Sequence, residues 1–258
     1  MTPEIITATH AEQAGHWYTR DGKPAYTIIG KNGKERPTTL RDARKLNLLP
    51  SVTTILNDGA KPGLETWKQK QVLMASLTLP HIDGETDDAW MERILADSKE
   101  EGKKAAERGT QIHAWIQQWL EGKGVLPEAR PYCEAVQKAL EHEGIDLGLL
   151  AVEESFSTDR FGGKVDIHRR YLTELVLDAK TKETPEKFGL YDDHAKQLAA
   201  YREGLGMPAA RCGIIFASIN PIVAEVQWIP EPKLQRGWRM FQALLEHWYA
   251  RTGLGEEA

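Results

Sequence analysis

The chain has 258 residues, a formal charge of −5 from 33 Lys+Arg against 38 Asp+Glu, and two cysteines. With 41% hydrophobic and 28% charged residues, wholesale disorder, a collagen, a coiled coil and a disulfide-rich module are excluded, and the length holds one large domain or two small ones. No apolar run approaches the roughly 18 residues of a membrane span. The start MTPEIITATHAEQ lacks a basic-then-apolar signal pattern, and Cys133 and Cys212 read as buried free thiols of a cytoplasmic protein.

Residues 15–30 read as a hairpin turning at Asp21-Gly22, and Asn32-Gly33 marks a second turn. This region is basic: Arg20 to Lys45 holds eight basic residues against Asp21, Glu35 and Asp42. A negative overall charge therefore does not exclude a phosphate-binding surface. Trp17, Tyr18 and Tyr26 lie beside that stretch and are expected to stack bases of a single strand. A short helix follows at 38–46, capped by Thr38 or Thr39. Another opens at Ser51 after Pro50, and 63–77 continues in helical register. From His81 to Glu101 the charge reverses, with eight acids against Arg93 and Lys99.

A longer helix is predicted over about 99–121, with an apolar stripe through Ile112, Trp115, Ile116, Trp119 and Leu120. A helix near 131–143 precedes three strands, at 149–157, 163–170 and 174–180. A helix over about 185–205, strands at 211–218 and 222–229, and a last helix from Glu231 to about Arg251 complete the pattern. Trp67, Trp115, Trp119, Trp238 and Trp248 fall on predicted helices and read as core. The order predicts a mixed α/β fold: a central mixed sheet flanked by helices, with an N-terminal hairpin and helical elaboration. We divide it into the elaboration, 1–98, and a core with a closing helix, 99–258, within one domain.

Chemistry concentrates between Glu153 and Lys180. Asp178 and Lys180 are two apart at the end of an apolar strand and so emerge on one face, about 7 Å apart along the backbone. Asp166 lies on the preceding strand, after a turn expected at Gly162-Gly163, and hairpin pairing brings Asp166 and Asp178 together. Two converging carboxylates call for a cation between them, and hard oxygen donors favour magnesium or manganese. A simple Asp178–Lys180 surface ion pair is the competing reading. On the long helix, Gly109 and Thr110 beside His113 are small enough for a close approach to a sheet. Gln197 and Tyr201 are one turn apart and can act on the same neighbour.

These residues together resemble the PD-(D/E)XK nuclease superfamily, in its RecB-like branch, which includes mitochondrial genome maintenance exonuclease and many phage exonucleases. Arg108-Gly-Thr-Gln-Ile-His113 is similar to the GTxxH motif, and Glu153-Glu-Ser-Phe156 with Gly162-Gly-Lys-Val-Asp166 to E-x-x-F…GG-x-x-D. Asp178-Ala-Lys180 is similar to D-x-K, and Gln197-Leu-Ala-Ala-Tyr201 to Q-x-x-x-Y. Pro50-Ser-Val-Thr-Thr-Ile-Leu56 resembles the segment that often precedes this core. The resemblance covers about Pro50 to Tyr201 and implies a restriction-endonuclease-like fold. It departs from the pattern at Val165, where the motif's proline would stand, and in lacking the four cysteines of the iron–sulfur subgroup.

By resemblance, His113, Asp166, Asp178 and the Ala179 carbonyl would bind Mg2+ or Mn2+, with Glu153 also at the site. Strand alternation lets only one of Glu153 and Glu154 face it, and the E-x-x-F match favours Glu153. Lys180 would orient the attacking water and stabilise charge on the phosphate, with Gln197 and Tyr201 positioning it or the DNA. Lys31, Lys34, Arg36, Thr110 and Lys164 are the expected substrate contacts. One acid or base gives roughly 10²–10⁴-fold, far short of what phosphodiester hydrolysis requires, so a metal is expected on magnitude as well. The implied activity is a DNA exonuclease of phage or bacterial recombination, repair or replication, working with a recombinase or single-strand-binding protein. A structure-specific endonuclease and a non-catalytic DNA- or protein-binding module are the rivals.

Overall fold

The computed structural model describes residues 5–6 and 15–255. Most of the stretch read for a signal pattern lies outside them. Contacts divide the chain into two compact units, Met1–Gly59 with Trp115–Ala258, and Ala60–Ala114.

The larger unit is built on a five-stranded sheet. Its strands are β6 (Ala151–Ser157), β7 (Gly162–Arg169), β8 (Leu175–Lys182), β9 (Arg211–Ser218) and β10 (Ala224–Trp228), in the order β10-β9-β8-β7-β6. Neighbours are antiparallel except β8 and β9, which run parallel. Parallel neighbours need a crossover, and α6 (Asp192–Gly204) supplies it. The closing helix α7 (Glu231–Thr252) packs on α6. That approach is close: a Cβ on Gly237 would stand 2.5 Å from the Ala195 carbonyl oxygen. Helix α5 (Arg130–His142) lies against β9 and β10. The predicted mixed α/β class is therefore the observed one.

Ahead of the sheet come β1 (Ile5–Ile6), β2 (Trp17–Tyr18), β3 (Thr27–Ile29), β4 (Glu35–Pro37), α1 (Leu40–Leu46), β5 (Leu49–Pro50) and α2 (Val52–Leu56). The Asn32-Gly33 turn joins β3 to β4, and Thr39 closes a capping box with Asp42 on α1. At Asp21-Gly22 the chain turns as expected, but the pairing shrinks to a Tyr18–Pro24 bridge, because β2 takes β5 as its strand partner.

Three aromatic expectations are overturned here. Trp17, Tyr18 and Tyr26 are 3%, 2% and 5% exposed, so they are core and cannot stack bases. Trp17 packs edge-on against Trp248 and donates to the Thr38 carbonyl at 3.1 Å, while the Tyr18 and Tyr26 hydroxyls meet at 2.5 Å. A basic hairpin needs an apolar underside, and these rings provide it.

The smaller unit holds α3 (Pro62–Thr78) and most of α4 (Asp87–Leu120). Helix α4 starts about three turns earlier than predicted, because the acidic block joins it; Arg93 bonds Glu85 at 3.0 and 2.9 Å. Trp67, expected in the core, is exposed, and Trp115, Trp119 and Trp238 are half-buried. Of that set only Trp248 is fully enclosed. The helix predicted over 185–205 begins only at Asp192, after a single turn at Pro185–Lys187. Among the described residues no helix is long and apolar enough to cross a membrane. Burial raises the thiol pKa of Cys133 to about 11 and of Cys212 to about 12, so both stay protonated.

Candidate metal and active site

The site forms where two strand ladders are interrupted. Strands β6 and β7 pair at Val152–Ile167 and again at Glu154–Val165, skipping Glu153 and Asp166 between them. Strands β7 and β8 pair as far as Ile167–Leu177. One step further along the same register stand Asp166 and Asp178. There the Ala179 N–H donates to the Asp166 Oδ2 at 2.9 Å, a carboxylate bond in place of a strand bond.

Glu153 takes a φ of 58°, a left-handed conformation that costs a non-glycine residue of order 1 kcal/mol or more and recurs at functional sites. It also breaks the alternation on which the choice between the two glutamates rests. Lys164 forms an ion pair with Glu153. Glu154 instead engages His168 Nε2 at 2.5 Å and Arg170 at 3.0 Å.

Asp178 is 2% exposed and has two supports. Lys180 Nζ lies 2.6 Å from its Oδ2, and Gln197 Nε2 donates to its Oδ1 at 2.8 Å. Gln197 also donates to the Tyr201 hydroxyl at 3.0 Å. The Asp178–Lys180 pair thus exists, but it is set into the sheet rather than on a surface hairpin. Burial opposes the charge on Lys180, yet Asp178 and Asp166 more than offset this and raise its pKa. It is therefore an ammonium at neutral pH, suited to stabilising anionic charge and unable to act as a base. Burial, then Asp178 and Asp166, push the Tyr201 phenol well up, so it stays neutral.

The glycine pair works differently from its expected place at a turn. The turn lies at Thr158–Phe161, and Gly162 and Gly163 are inside β7. A Cβ on Gly163 would stand 2.7 Å from the Phe156 ring and 3.1 Å from Tyr201. Glycine there leaves room for both rings to close on the strand, and with them the helix that carries Gln197. Phe156, edge-on to Tyr201 with centroids 6.1 Å apart, completes that wedge.

His113 is on α4 two residues before Trp115, where the larger unit begins. One ligand atom each from His113, Glu153 and Asp166 lie within 4.8 Å of one another, an arrangement that can hold a metal ion. Asp178 stands outside that triad. A Cβ on Gly109 would meet nothing within 4 Å, so close packing does not require that glycine. The Thr110 hydroxyl donates to the Ala106 carbonyl within its own helix.

Lys31, Lys34 and Arg36 belong to the β3–β4 hairpin rather than to the strands bearing the carboxylates. Lys31 and Arg36 line a cleft of about 420 Å³ with Arg41 and Lys45, and Arg36 is held by Asp42 at 2.7 and 2.9 Å. Residues that motif reading passed over lie next to the site. Lys182 continues the Asp178, Lys180 alternation, and Tyr191 and His194 follow at the start of α6. The alternation alone was enough to find Lys182.

No family model matches the sequence, and no curated protein sequence matches it. Among solved structures, the chain is similar to one from Eubacterium rectale named "Putative exonuclease", at 12% identity over 58% of this chain and 69% of that one, with a TM-score of 0.42. It is also similar to a structure named SSO0001, at 15% identity over 70% and 86% of the two chains, with a TM-score of 0.25. Both likenesses are distant.

Proposed function

We propose that this protein is a metal-dependent nuclease that hydrolyses phosphodiester bonds in DNA, as an exonuclease. The observation that carries this reading is the convergence of His113, Glu153 and Asp166 next to the Asp178–Lys180 pair, at a break in the sheet. A fold has no structural need to gather three carboxylates at a ladder gap and to strain Glu153 in doing so.

The donor set fits a hard divalent ion: carboxylate oxygens with one imidazole, and no thiolate. His113, Glu153 and Asp166 would hold Mg2+ or Mn2+, with Asp178 alongside. When bound, such an ion polarises the phosphoryl oxygen, lowers the pKa of a water and steadies the leaving oxygen. The chain's own residues do the rest. Lys180 presents an ammonium to the phosphate, held in place by Asp178. Gln197 and Tyr201 hold Asp178 in turn, and the neutral phenol keeps a further negative charge out of the site. Lys164, paired with Glu153, supplies a second cation on the neighbouring strand.

The test is cleavage of end-labelled single- and double-stranded DNA with Mg2+, Mn2+ or EDTA, alongside Asp178→Ala and Lys180→Ala. Cleavage that needs the metal and is lost in both variants is the expected result. Degradation that persists in EDTA, or in both variants, refutes the mechanism. Circular single-stranded DNA stays intact with an exonuclease, and its linearisation would make the enzyme an endonuclease.

A further inference from the structure

Strand β8 does not end its chemistry at Lys180. Residues two apart share a face, so Asp178, Lys180 and Lys182 project together. Lys182 is half-buried and makes no ion pair among the described residues. The acids near it are otherwise engaged: Glu183 has a partner of its own, Glu186 bonds Thr184, and at the start of α6 Asp192 bonds Arg236 at 2.7 Å and Asp193 bonds Lys196 at 2.6 Å. Its recorded neighbour is an aromatic ring, with Nζ 5.6 Å from the Tyr191 centroid. Tyr191 is itself 59% exposed, so much of its ring is open to solvent. Burial and the nearby Lys180 and Lys187 lower the Lys182 pKa, as expected where cations crowd without a counter-ion. A partly desolvated ammonium without a carboxylate is costly unless an anion arrives.

We propose that Lys182 and Tyr191 form a nucleotide shelf beside Lys180, the ammonium taking a backbone phosphate and the ring stacking an unpaired base, so that DNA enters as a single strand. The strand preference follows from the ring: bases in a duplex are already stacked, and only a splayed base can lie on Tyr191. The inference rests on the nuclease reading above and adds to it the form of the substrate and the residues that select it.

The experiment uses the full chain. Binding of a labelled single-stranded oligonucleotide and of a blunt duplex is followed by anisotropy in EDTA over a salt series, with steady-state cleavage measured in Mg2+. Tyr191→Ala should weaken single-strand binding roughly 5- to 150-fold and raise KM by a similar factor, with kcat and duplex binding little changed. Tyr191→Phe, which keeps the ring, should behave as wild type. Lys182→Gln should reduce the slope of log K against log salt by about 0.7. Wild-type single-strand affinity in Tyr191→Ala, equal losses on both substrates, failure of Tyr191→Phe to rescue, or an unchanged slope in Lys182→Gln would overturn the shelf while leaving the nuclease standing. A wild-type protein that neither binds nor cleaves DNA would overturn both. Matched thermal melts show that the variants are folded.

Discussion

Replacing Lys180 by methionine removes the closest counter-charge of a carboxylate that is 2% exposed. At 2.6 Å and an effective dielectric near 20, the gross attraction is about 6 kcal/mol, most of it offset by the desolvation of both groups. Breaking a buried pair on one side costs about 3–5 kcal/mol. The Lys180 side chain is 35% exposed, so solvent screening brings the expected loss down to about 2–3 kcal/mol. For a chain of this size that is a fall in Tm of about 4–12 °C. Only Gln197 then supports the Asp178 carboxylate. Asp178→Asn keeps the oxygen that accepts from Gln197 and removes the charge, so Asp178→Asn/Lys180→Met should recover much of the loss. Urea unfolding in EDTA of both single variants, the double variant and wild type measures the coupling, expected at about 1 kcal/mol or more. Additivity within about 0.5 kcal/mol would refute the view that the two groups depend on each other. The cycle also guards the cleavage test, since an inactive Lys180→Ala must first be shown to be folded at the assay pH.

Gly163→Ala places a methyl 2.7 Å from the Phe156 ring and should destabilise the chain by about 1–3 kcal/mol, read as a lower urea midpoint. An unchanged midpoint would mean that the ring can move aside. His194 is 8% exposed, and burial, with Lys180 next, lowers its pKa from 6.5 to about 4. As pH falls the unfolded chain takes up the proton first, so the stability due to neutral His194 is complete above about 6.5 and disappears towards 4, with about 3 kcal/mol at stake. His194→Gln should flatten that part of the stability–pH curve, and an unaltered curve would remove His194 as its source. Mg2+ or Mn2+ at 100 times its Kd should stabilise the wild type by about 2.7 kcal/mol. Glu153→Gln and Asp166→Asn should lose most of that shift in Tm, and an equal shift in both variants would move the ion elsewhere.

The stretch from Glu153 to Lys180 was legible because strands have a period of two: alternation alone placed Asp178 with Lys180, and a hairpin register placed Asp166 beside them. Helix boundaries followed the apolar stripe, and this is why the first part of α4 was missed. Its acidic turns carry only a short stripe, Trp90 with Ile94 and Met91 with Leu95, which the charge pattern masks, and the helix there is also supported by bonds such as Arg93 to Glu85 and by Trp90 donating to the Leu79 carbonyl at 2.7 Å. Trp17 was misread for a different reason. Its packing partner Trp248 lies near the far end of the chain, and no local pattern records a contact of that span. The glycine pair is expected at a turn because Gly-Gly is one of the turn dipeptides, whereas here its lack of side chains makes room for Phe156, Tyr201 and Tyr18.

Glu153 shows how far alternation reaches. Counting residues along β6 allows one glutamate on each face, and that rule assumes an unbroken ladder. In the structure the ladder breaks at Glu153, with φ at 58°, and it breaks opposite Asp166, where the β7–β8 pairs also end. Both departures from regular β-structure therefore meet at one carboxylate. A sheet gives up backbone hydrogen bonds at net cost unless side chains replace them; here the Asp166 oxygen takes the Ala179 N–H. Lys164 and Lys180 meanwhile stand two residues from Asp166 and Asp178, on strands that run in opposite directions. Each carboxylate paired in this way, Glu153 with Lys164 and Asp178 with Lys180, has a lysine for company, so the acids can stay close before any cation binds. A divalent ion held by Glu153 would compete with Lys164 for that carboxylate and free its ammonium, while Lys180 would stay fixed by Asp178. The same spacing that makes the acidic cluster stable would then make it basic towards substrate.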